Sequence, residues 1–144
     1  FMKVALGADH GGLELKEKIK SHLLNKNIEI IDKGIYELES VDYPHYGRAV
    51  GNSVVNKEAD YGIVVCGTGI GISIAANKVK GVRCALCHNT TTARLTREHN
   101  DANVLALGGR ILGDVLALEI VDVFLSTDFE GGRHLNRINC IEED

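Results

Sequence analysis

A cysteine followed by alternating glycines is the stretch of this chain best suited to chemistry. Cys66 ends an apolar run that predicts a buried strand, and residues 67–71 read Gly-Thr-Gly-Ile-Gly before a predicted helix. Glycines carry no Cβ, so the backbone N–H groups of such a loop can close around a small anion. The same N–H groups and the dipole of the following helix favour a thiolate over a thiol. The segment therefore predicts a base or nucleophile beside an oxyanion cradle, as chemistry at a carbonyl requires.

Two further polar segments are predicted to lie at the same edge of the protein. Asp9 and His10 directly follow the first predicted strand, and residues 108–110 follow the fifth. Ligands bind at the carboxyl ends of the strands in open parallel sheets, so these segments can join Cys66 there. Asp9 could orient an imidazole or bind a hydroxyl, and His10 could donate to an anion. The alternative is that Asp9 only caps a helix and that Cys66 is a small core residue.

Two candidates lie at predicted helix ends. Tyr43 precedes the only proline and could close a pocket over the hydroxyls of a ligand, or simply pack at the turn. His99 could act as a general acid or base, because histidine titrates near physiological pH. The local residues by themselves favour another explanation for His99, a histidine placed near a helix C-terminus by the helix dipole.

Three arginines next to glycine pairs could bind a phosphate. Arg110 follows one glycine pair, and Arg133 and Arg137 lie one helical turn apart after a second pair. Two guanidinium groups on one helix face suit a phosphate, although a solvated basic face is the alternative for any single arginine. The chain has no G-x-x-x-x-G-K-[ST] motif, and residues 67–71 miss the dinucleotide fingerprint by one position. We therefore expect side chains, not a P-loop, to hold the phosphate.

Composition favours a small globular domain over a nucleic-acid or membrane protein. The 144 residues are 44% apolar, which suffices for one α/β domain with its own core. A net charge of −4 and only 5% aromatic residues disfavour nucleic-acid binding. With no secretory signal and no apolar run of membrane-spanning length, we expect a cytoplasmic protein with reduced thiols.

The remaining cysteines offer an alternative function. The sequence from Cys84 to His88 matches the spacing of c-type haem attachment and contains a C-x-x-C pair. We interpret the match as coincidental, because it overlaps a predicted apolar strand and no second pair at zinc spacing is present. A redox protein that uses Cys84 and Cys87 is the alternative. Cys140 has no predicted role.

Strand and helix patterns alternate along the chain and predict an α/β fold, a single domain over residues 2–144. Five strands, each followed by a helix, predict a parallel sheet with helices on both faces. In the C-terminal tail, about residues 130–144, Leu135, Ile138 and Ile141 form an apolar stripe that predicts packing on a partner subunit. The expected strands are 3–7, 28–31, 61–65, 82–86 and 104–107, and the expected helices are 13–25, 44–56, 71–78, 91–98 and 114–125.

Together these motifs resemble the ribose-5-phosphate isomerase B family, which also includes allose-6-phosphate and galactose-6-phosphate isomerases. The resemblance runs from residue 3 to about residue 143. The matching segments are 7–10, 42–45, 66–78, 99–104 and 130–134. Each segment alone would be a weak signal, but their combination is highly specific.

The resemblance implies a Rossmann-like, three-layer α/β/α sandwich with no metal or organic cofactor. It implies a homodimer or tetramer whose sites are shared across the subunit interface. The implied activity is the interconversion of ribose-5-phosphate and ribulose-5-phosphate in the pentose phosphate pathway. An isomerase for allose-6-phosphate or galactose-6-phosphate and a non-catalytic sugar-phosphate sensor are the alternatives.

The resemblance also assigns residues, with Cys66 as the proton acceptor and His99 as the group that helps to open the cyclic sugar. Isomerisation passes through an enediolate, and each loop N–H that holds its oxyanion can contribute roughly 3 kcal/mol. Asp9 and Thr68 complete the catalytic candidates. The substrate-binding candidates are Asp9, His10, Tyr43, Gly67, Thr68, Gly69, Ile70, Gly71 and Asn100, and the phosphate-binding candidates are His10, Arg110, Arg133 and Arg137.

Overall fold

The computed structural model describes residues 1–143 and confirms the predicted alternation of strands and helices. No helix within those residues is both long and apolar enough to cross a lipid bilayer. In chain order the elements are β1 (Lys3–Ala8), α1 (Leu13–Leu24), β2 (Glu29–Asp32), α2 (Tyr43–Val55), β3 (Tyr61–Cys66), α3 (Ile70–Asn77), β4 (Cys84–Leu86), α4 (Thr90–Asn100), β5 (Val104–Gly108), α5 (Asp114–Ser126) and α6 (Arg133–Glu142).

The five strands form one parallel sheet in the order β2-β1-β3-β5-β4. Strand β1 has β2 on one side and β3 on the other. The chain therefore adds its second strand on one side of β1 and its later strands on the opposite side. Loops that leave β1 and β3 diverge at such a point and open a crevice at the carboxyl edge. The predicted parallel sheet is thus confirmed, and its topology places the Asp9 and Cys66 loops beside the same crevice.

Alternate residues of the central strand pack into two separate cores. Ile63 and Val65 of β3 face a cluster that includes α1 and α5, whereas Val64 and Cys66 face α2 and α3. All four residues are at most 5% exposed. Burial on both faces is the usual state of a parallel sheet covered by helices, and it fixes the side on which the Cys66 thiol lies.

The bounds of the elements differ from the sequence expectation by one or two residues, most visibly at β4. Strand β4 begins at Cys84, not at residue 82, because the Val82 N–H closes a turn on the Val79 carbonyl. The Arg83 N–H donates to Asn103 Oδ1 and the Cys84 N–H to Asn77 Oδ1, each at 2.8 Å. Helix α3 begins at Ile70, one residue earlier than expected.

The C-terminal tail forms helix α6, which packs on its own chain. Ile138 is 5% exposed and His134 is 4% exposed, so both are used within the chain. The apolar stripe predicted from Leu135, Ile138 and Ile141 is therefore divided. Only Leu135 and Ile141, which are 50% and 62% exposed, remain available to another surface. Packing of the tail on a partner subunit stays a prediction.

A buried ion pair anchors the segment that connects β2 to α2. Lys16 of α1 is fully buried, and its ammonium donates to Asp32 Oδ1 at 2.7 Å and to the Ile35 carbonyl at 2.7 Å. The Gly34 N–H and the Lys20 ammonium also donate to Asp32. Burial alone would raise the pKa of the Asp32 carboxyl, but these donors together hold it below its usual value. The chain is thereby fixed shortly before it reaches Tyr43.

We predict that Asp32→Asn lowers the free energy of unfolding at pH 7 by about 3–5 kcal/mol, because the buried Lys16 ammonium loses its counter-charge. Urea denaturation measures this difference. The pKa of Asp32 is lower in the folded state. Its contribution is therefore complete above the unfolded pKa of about 3.9 and is lost as the pH falls through the folded value. The difference between variant and wild type should shrink below that pH.

The double variant Lys16→Met/Asp32→Asn is the matched control, because it removes both charges together. It should recover much of the stability that Asp32→Asn loses. Equal stability of Asp32→Asn and wild type at pH 7 would show that the ion pair does not anchor the fold.

Candidate active site

Three loops meet at the carboxyl edge of the sheet, where the sequence placed the Cys66 site. The Gly109 N–H donates to the Cys66 carbonyl at 2.8 Å, and the Arg110 N–H donates to the Gly67 carbonyl at 2.9 Å. On the other side, the Asp9 N–H donates to the Val65 carbonyl at 3.3 Å. The loops after β1, β3 and β5 are thus joined by backbone hydrogen bonds around the end of β3.

The Cys66 thiol lies at the start of helix α3. Its Sγ accepts a hydrogen bond from the Gly69 N–H at 3.2 Å, and the residue is only 5% exposed. Gly69 has a φ of +81°, and a Cβ there would lie 2.6 Å from Leu86 Cδ1, so glycine is required. The N–H contact and the positive end of the helix dipole both stabilise negative charge on the sulfur.

Thr68 and Tyr43 line the mouth of this loop. Thr68 is exposed, and its Oγ1 accepts from the Ile70 N–H at 3.1 Å, which leaves the hydroxyl proton available to a ligand. The Tyr43 ring lies against Gly71, where an added Cβ would come within 2.7 Å of the phenolic oxygen. Tyr43 is 38% exposed, so it forms a wall of the site and still faces solvent.

Asp9 and His10 are both held by the backbone. Asp9 is buried, and its Oδ1 accepts from the N–H groups of Gly11 and Gly12 at 2.9 and 3.1 Å. The N-cap of α1 is Gly12, without a side-chain cap bond, so Asp9 does not cap the helix and instead holds the turn that precedes it. His10 Nδ1 accepts from the Val41 N–H at 3.2 Å. An accepting Nδ1 requires the proton of the neutral ring to be on Nε2, so His10 presents an N–H donor.

Arg110 extends this group of residues into a cleft of about 410 Å³. Its guanidinium lies beside Gly67, with Nη1 3.4 Å from the position that a Cβ would take there. His10, Gly11 and Gly109 line the same cleft. An exposed guanidinium next to the His10 donor is suited to an anion such as a phosphate, although Glu14 and Asp114 also line this cleft.

His99 and Asn100 lie at the opposite edge of the sheet. Helix α4 runs back from the carboxyl edge and ends at Asn100, and the chain then enters β5 at its amino end. There the Asn103 carbonyl accepts from the N–H of Gly62, near the first residue of β3. Since β3 spans six residues, this edge is about 16 Å from Cys66. One chain therefore does not bring Cys66 and His99 together.

His99 belongs to a small group that we call the amino-edge cluster, made up of His99, Glu130 and His134. The rings of His99 and His134 stack, with centroids 4.4 Å apart and planes inclined by 17°. Glu130 Oε1 lies 3.7 Å from His99 Nε2 and 3.4 Å from His134 Nε2. Arg133 and Arg137 are exposed on helix α6, which begins beside this cluster.

Glu130 and His134 had not been assigned roles from the sequence. The signal that could have found them is their i,i+4 spacing at the start of the last helix. The ligand atoms of the amino-edge cluster all lie within 4.8 Å of one another. Two imidazoles and one carboxylate are a donor set that zinc accepts, so the amino-edge cluster is a group of potential ligands held close together.

The C-x-x-C pair is poorly placed for redox chemistry. Burial raises the pKa of the Cys84 and Cys87 thiols, and Cys87 is 1% exposed. Redox activity requires an accessible thiolate, which these surroundings disfavour. All four cysteines are free in this structure.

The chain is similar to known isomerases over nearly its whole length. Residues 4–141 match the ribose/galactose isomerase family. Ribose-5-phosphate isomerase B of Escherichia coli is 50% identical over 139 residues, which cover 96% of this chain and 93% of that protein. The structure of a ribose 5-phosphate isomerase from Thermotoga maritima has 55% identity and a TM-score of 0.97, and 99% of each chain is covered.

A ligand-bound structure is also similar. Ribose-5-phosphate isomerase B from Mycoplasma genitalium, with bound ribulose-5-phosphate, has 43% identity and a TM-score of 0.93. The match covers 98% of this chain and 94% of that chain.

We predict that Cys84 and Cys87 resist alkylation in the folded protein. Short treatment with iodoacetamide at pH 7.5 should label the exposed Cys140 and leave Cys84 and Cys87 unmodified, because desolvation raises the pKa of both thiols and Cys87 is also buried. Mass spectrometry of proteolytic peptides measures the labelling. The protein unfolded in urea is the control, in which all four thiols should react. Equal labelling of Cys87 and Cys140 in the folded protein would contradict the prediction.

Proposed function

The chain belongs to the ribose/galactose isomerase family, and from that membership we propose that it interconverts ribose-5-phosphate and ribulose-5-phosphate. The observation that carries the proposal in this chain is the position of Cys66. Its sulfur accepts the Gly69 N–H at the start of α3, in a glycine loop that also presents Thr68. We further propose that the reaction belongs to the pentose phosphate pathway in the cytoplasm.

Cys66 is the base that moves the proton between two carbons. In the open aldose, the C2–H bond is acidic because it lies next to the C1 carbonyl. The Cys66 thiolate takes this proton, and the C–H electron pair forms a C1–C2 double bond while the carbonyl oxygen becomes an enediolate oxyanion. N–H groups at the start of α3 and the Thr68 hydroxyl stabilise that charge. A proton then passes from O2 to O1, the C2–O2 carbonyl forms, and the C1–C2 electron pair takes the proton back from the Cys66 thiol at C1, which yields the ketose.

The cyclic sugar has to open before this proton transfer can occur. Opening requires a base at the anomeric hydroxyl and an acid at the ring oxygen, and His99 and Asp9 are the proposed pair. Both must reach the sugar that Cys66 deprotonates. Because His99 lies at the amino edge of the sheet, about one strand length from Cys66, we propose that a second copy of the chain supplies His99. The functional unit is then a homodimer or a larger homo-oligomer.

The second copy also completes the binding of substrate. It brings Asn100 to the sugar, and Arg133 and Arg137 to the phosphate, opposite His10 and Arg110 of the first chain. Exposed apolar side chains beside the two half-sites support such a contact. They are Ile70 and Ile74 on α3, which are 51% and 56% exposed, and Leu135 on α6, which is 50% exposed.

We predict that Cys66→Ala lowers kcat for ribose-5-phosphate by about 100-fold or more, since a positioned base typically contributes a factor of 10²–10⁴. Ketopentose formation is followed by absorbance, with allose-6-phosphate and galactose-6-phosphate tested in parallel. Cys140→Ala, which removes an exposed thiol far along the chain, is the matched control and should keep full activity.

The outcomes separate the alternative functions. Full activity of Cys66→Ala would show that another group is the base. Faster turnover of a hexose phosphate would keep the mechanism and change the substrate. Binding of these sugar phosphates without turnover by the wild type would favour the sensor.

Two inactive variants should restore activity when their subunits are mixed. In a mixed dimer of Cys66→Ala and His99→Asn, one of the two shared sites carries both native residues. Random reassembly makes half of the dimers mixed, so we expect roughly a quarter of wild-type activity. The measurement is turnover of ribose-5-phosphate after mild dissociation and reassociation at equal concentrations. No recovery, despite exchange of subunits, would place both residues in one chain's site.

A further inference from the structure

We propose that His134 is a positioning residue for His99, whose imidazole it holds in the orientation needed to open the sugar ring. The inference rests on the proposed isomerase function and assigns a role to a residue that does not itself touch the substrate. Its basis is the stacked pair in the amino-edge cluster.

His99 needs an external constraint. It lies in the last turn of α4, and its side chain is 38% exposed, so few neighbours limit its rotation. Its ring lies almost parallel to that of His134, with centroids 4.4 Å apart. A flat contact of this kind fixes the plane of the exposed ring if the other ring is immobile. Proton transfer to a sugar oxygen depends strongly on such alignment.

The His134 ring is immobile because the start of α6 is bonded to the end of α4. His134 is 4% exposed, and its backbone N–H donates to the Gly131 carbonyl at 3.2 Å. The Glu130 N–H donates to the Glu98 carbonyl at 3.1 Å, on the residue immediately before His99. The turn that carries His134 is therefore tied by its backbone to the helical turn that carries His99.

The last turn of α4 is itself held in place. Arg97 is 3% exposed, and its guanidinium donates to the Thr127 carbonyl at 3.1 Å and to Asp101 Oδ1 at 2.7 Å. These bonds connect the helix end to the segment that leads into α6. Hydrogen bonds thus hold the backbone that carries each of the two stacked rings.

The polarity of His134 is a second indication of function. Its Nε2 is buried and makes no hydrogen bond to any of residues 1–143. A buried polar atom without a partner destabilises the fold, and an apolar side chain of similar size would avoid this cost. Glu130 Oε1 lies 3.4 Å from this nitrogen and 3.7 Å from His99 Nε2. Glu130 therefore connects the two rings on their nitrogen side.

The experiment separates ring chemistry from proton abstraction. Ribulose-5-phosphate has no free hydroxyl that could close a five-membered ring, so Cys66 can exchange its C1 hydrogen with solvent before any ring forms. In D₂O, NMR measures deuterium entering C1 of ribulose-5-phosphate, and net formation of ribose-5-phosphate is measured in the same sample. The ratio of exchange to conversion reports on the ring step.

We expect His134→Leu and His134→Gln to lower conversion about 10- to 100-fold, as small misplacements of catalytic groups do, while exchange stays within about twofold of wild type. His134→Phe keeps a flat ring at this position but lacks the Nε2 that lies beside Glu130, so it should restore part of the conversion. His99→Asn is the reference and should also keep exchange and lose conversion. Circular dichroism confirms that each variant is folded.

Two results would overturn the role of His134. Exchange and conversion that fall together in the ring-less variants would mean general damage to the site, and unchanged conversion would mean that the stack is not needed. A wrong isomerase assignment would give other results than a wrong role for His134. The wild type would then show neither exchange nor conversion, or Cys66→Ala would retain both.

Discussion

The direction of the parallel strands is the constraint on which the rest of this structure depends. Every strand ends at one edge of the sheet, and every helix that returns to the next strand ends near the other. Cys66, at the end of β3, and His99, at the end of α4, are therefore separated by about the length of a strand. A single chain provides two half-sites at opposite edges, and a second copy is the means by which we propose that they meet.

The two half-sites are stabilised in different ways. At the carboxyl edge, backbone hydrogen bonds join the loops after β1, β3 and β5, and Gly69 allows the tight turn that brings an N–H to the Cys66 sulfur. At the amino edge, side chains also stabilise the half-site. Buried Arg97 holds the end of α4, and the His134 ring stacks on that of His99. The first half-site is suited to hold developing negative charge, and the second to deliver a proton with defined orientation.

The sequence predicted the α/β alternation and much of the carboxyl-edge half-site because both depend on local pattern. Apolar runs of strand length separated by helical periodicity are readable along the chain, and so is a cysteine between a strand and a glycine loop. Boundaries were predicted less well where distant side chains intervene. Strand β4 starts late because the Val82 N–H closes a turn on the Val79 carbonyl and the Arg83 N–H bonds to the Asn103 side chain.

What the sequence determined by itself is the set of chemical groups, namely a thiol at a helix start, arginines beside glycine pairs and a histidine at a helix end. Only the tertiary structure decided which of them lie together. Contacts such as the His99–His134 stack and the Val41–His10 hydrogen bond join residues more than 30 positions apart. No periodicity or spacing encodes such contacts, because they arise from the packing of whole elements against one another.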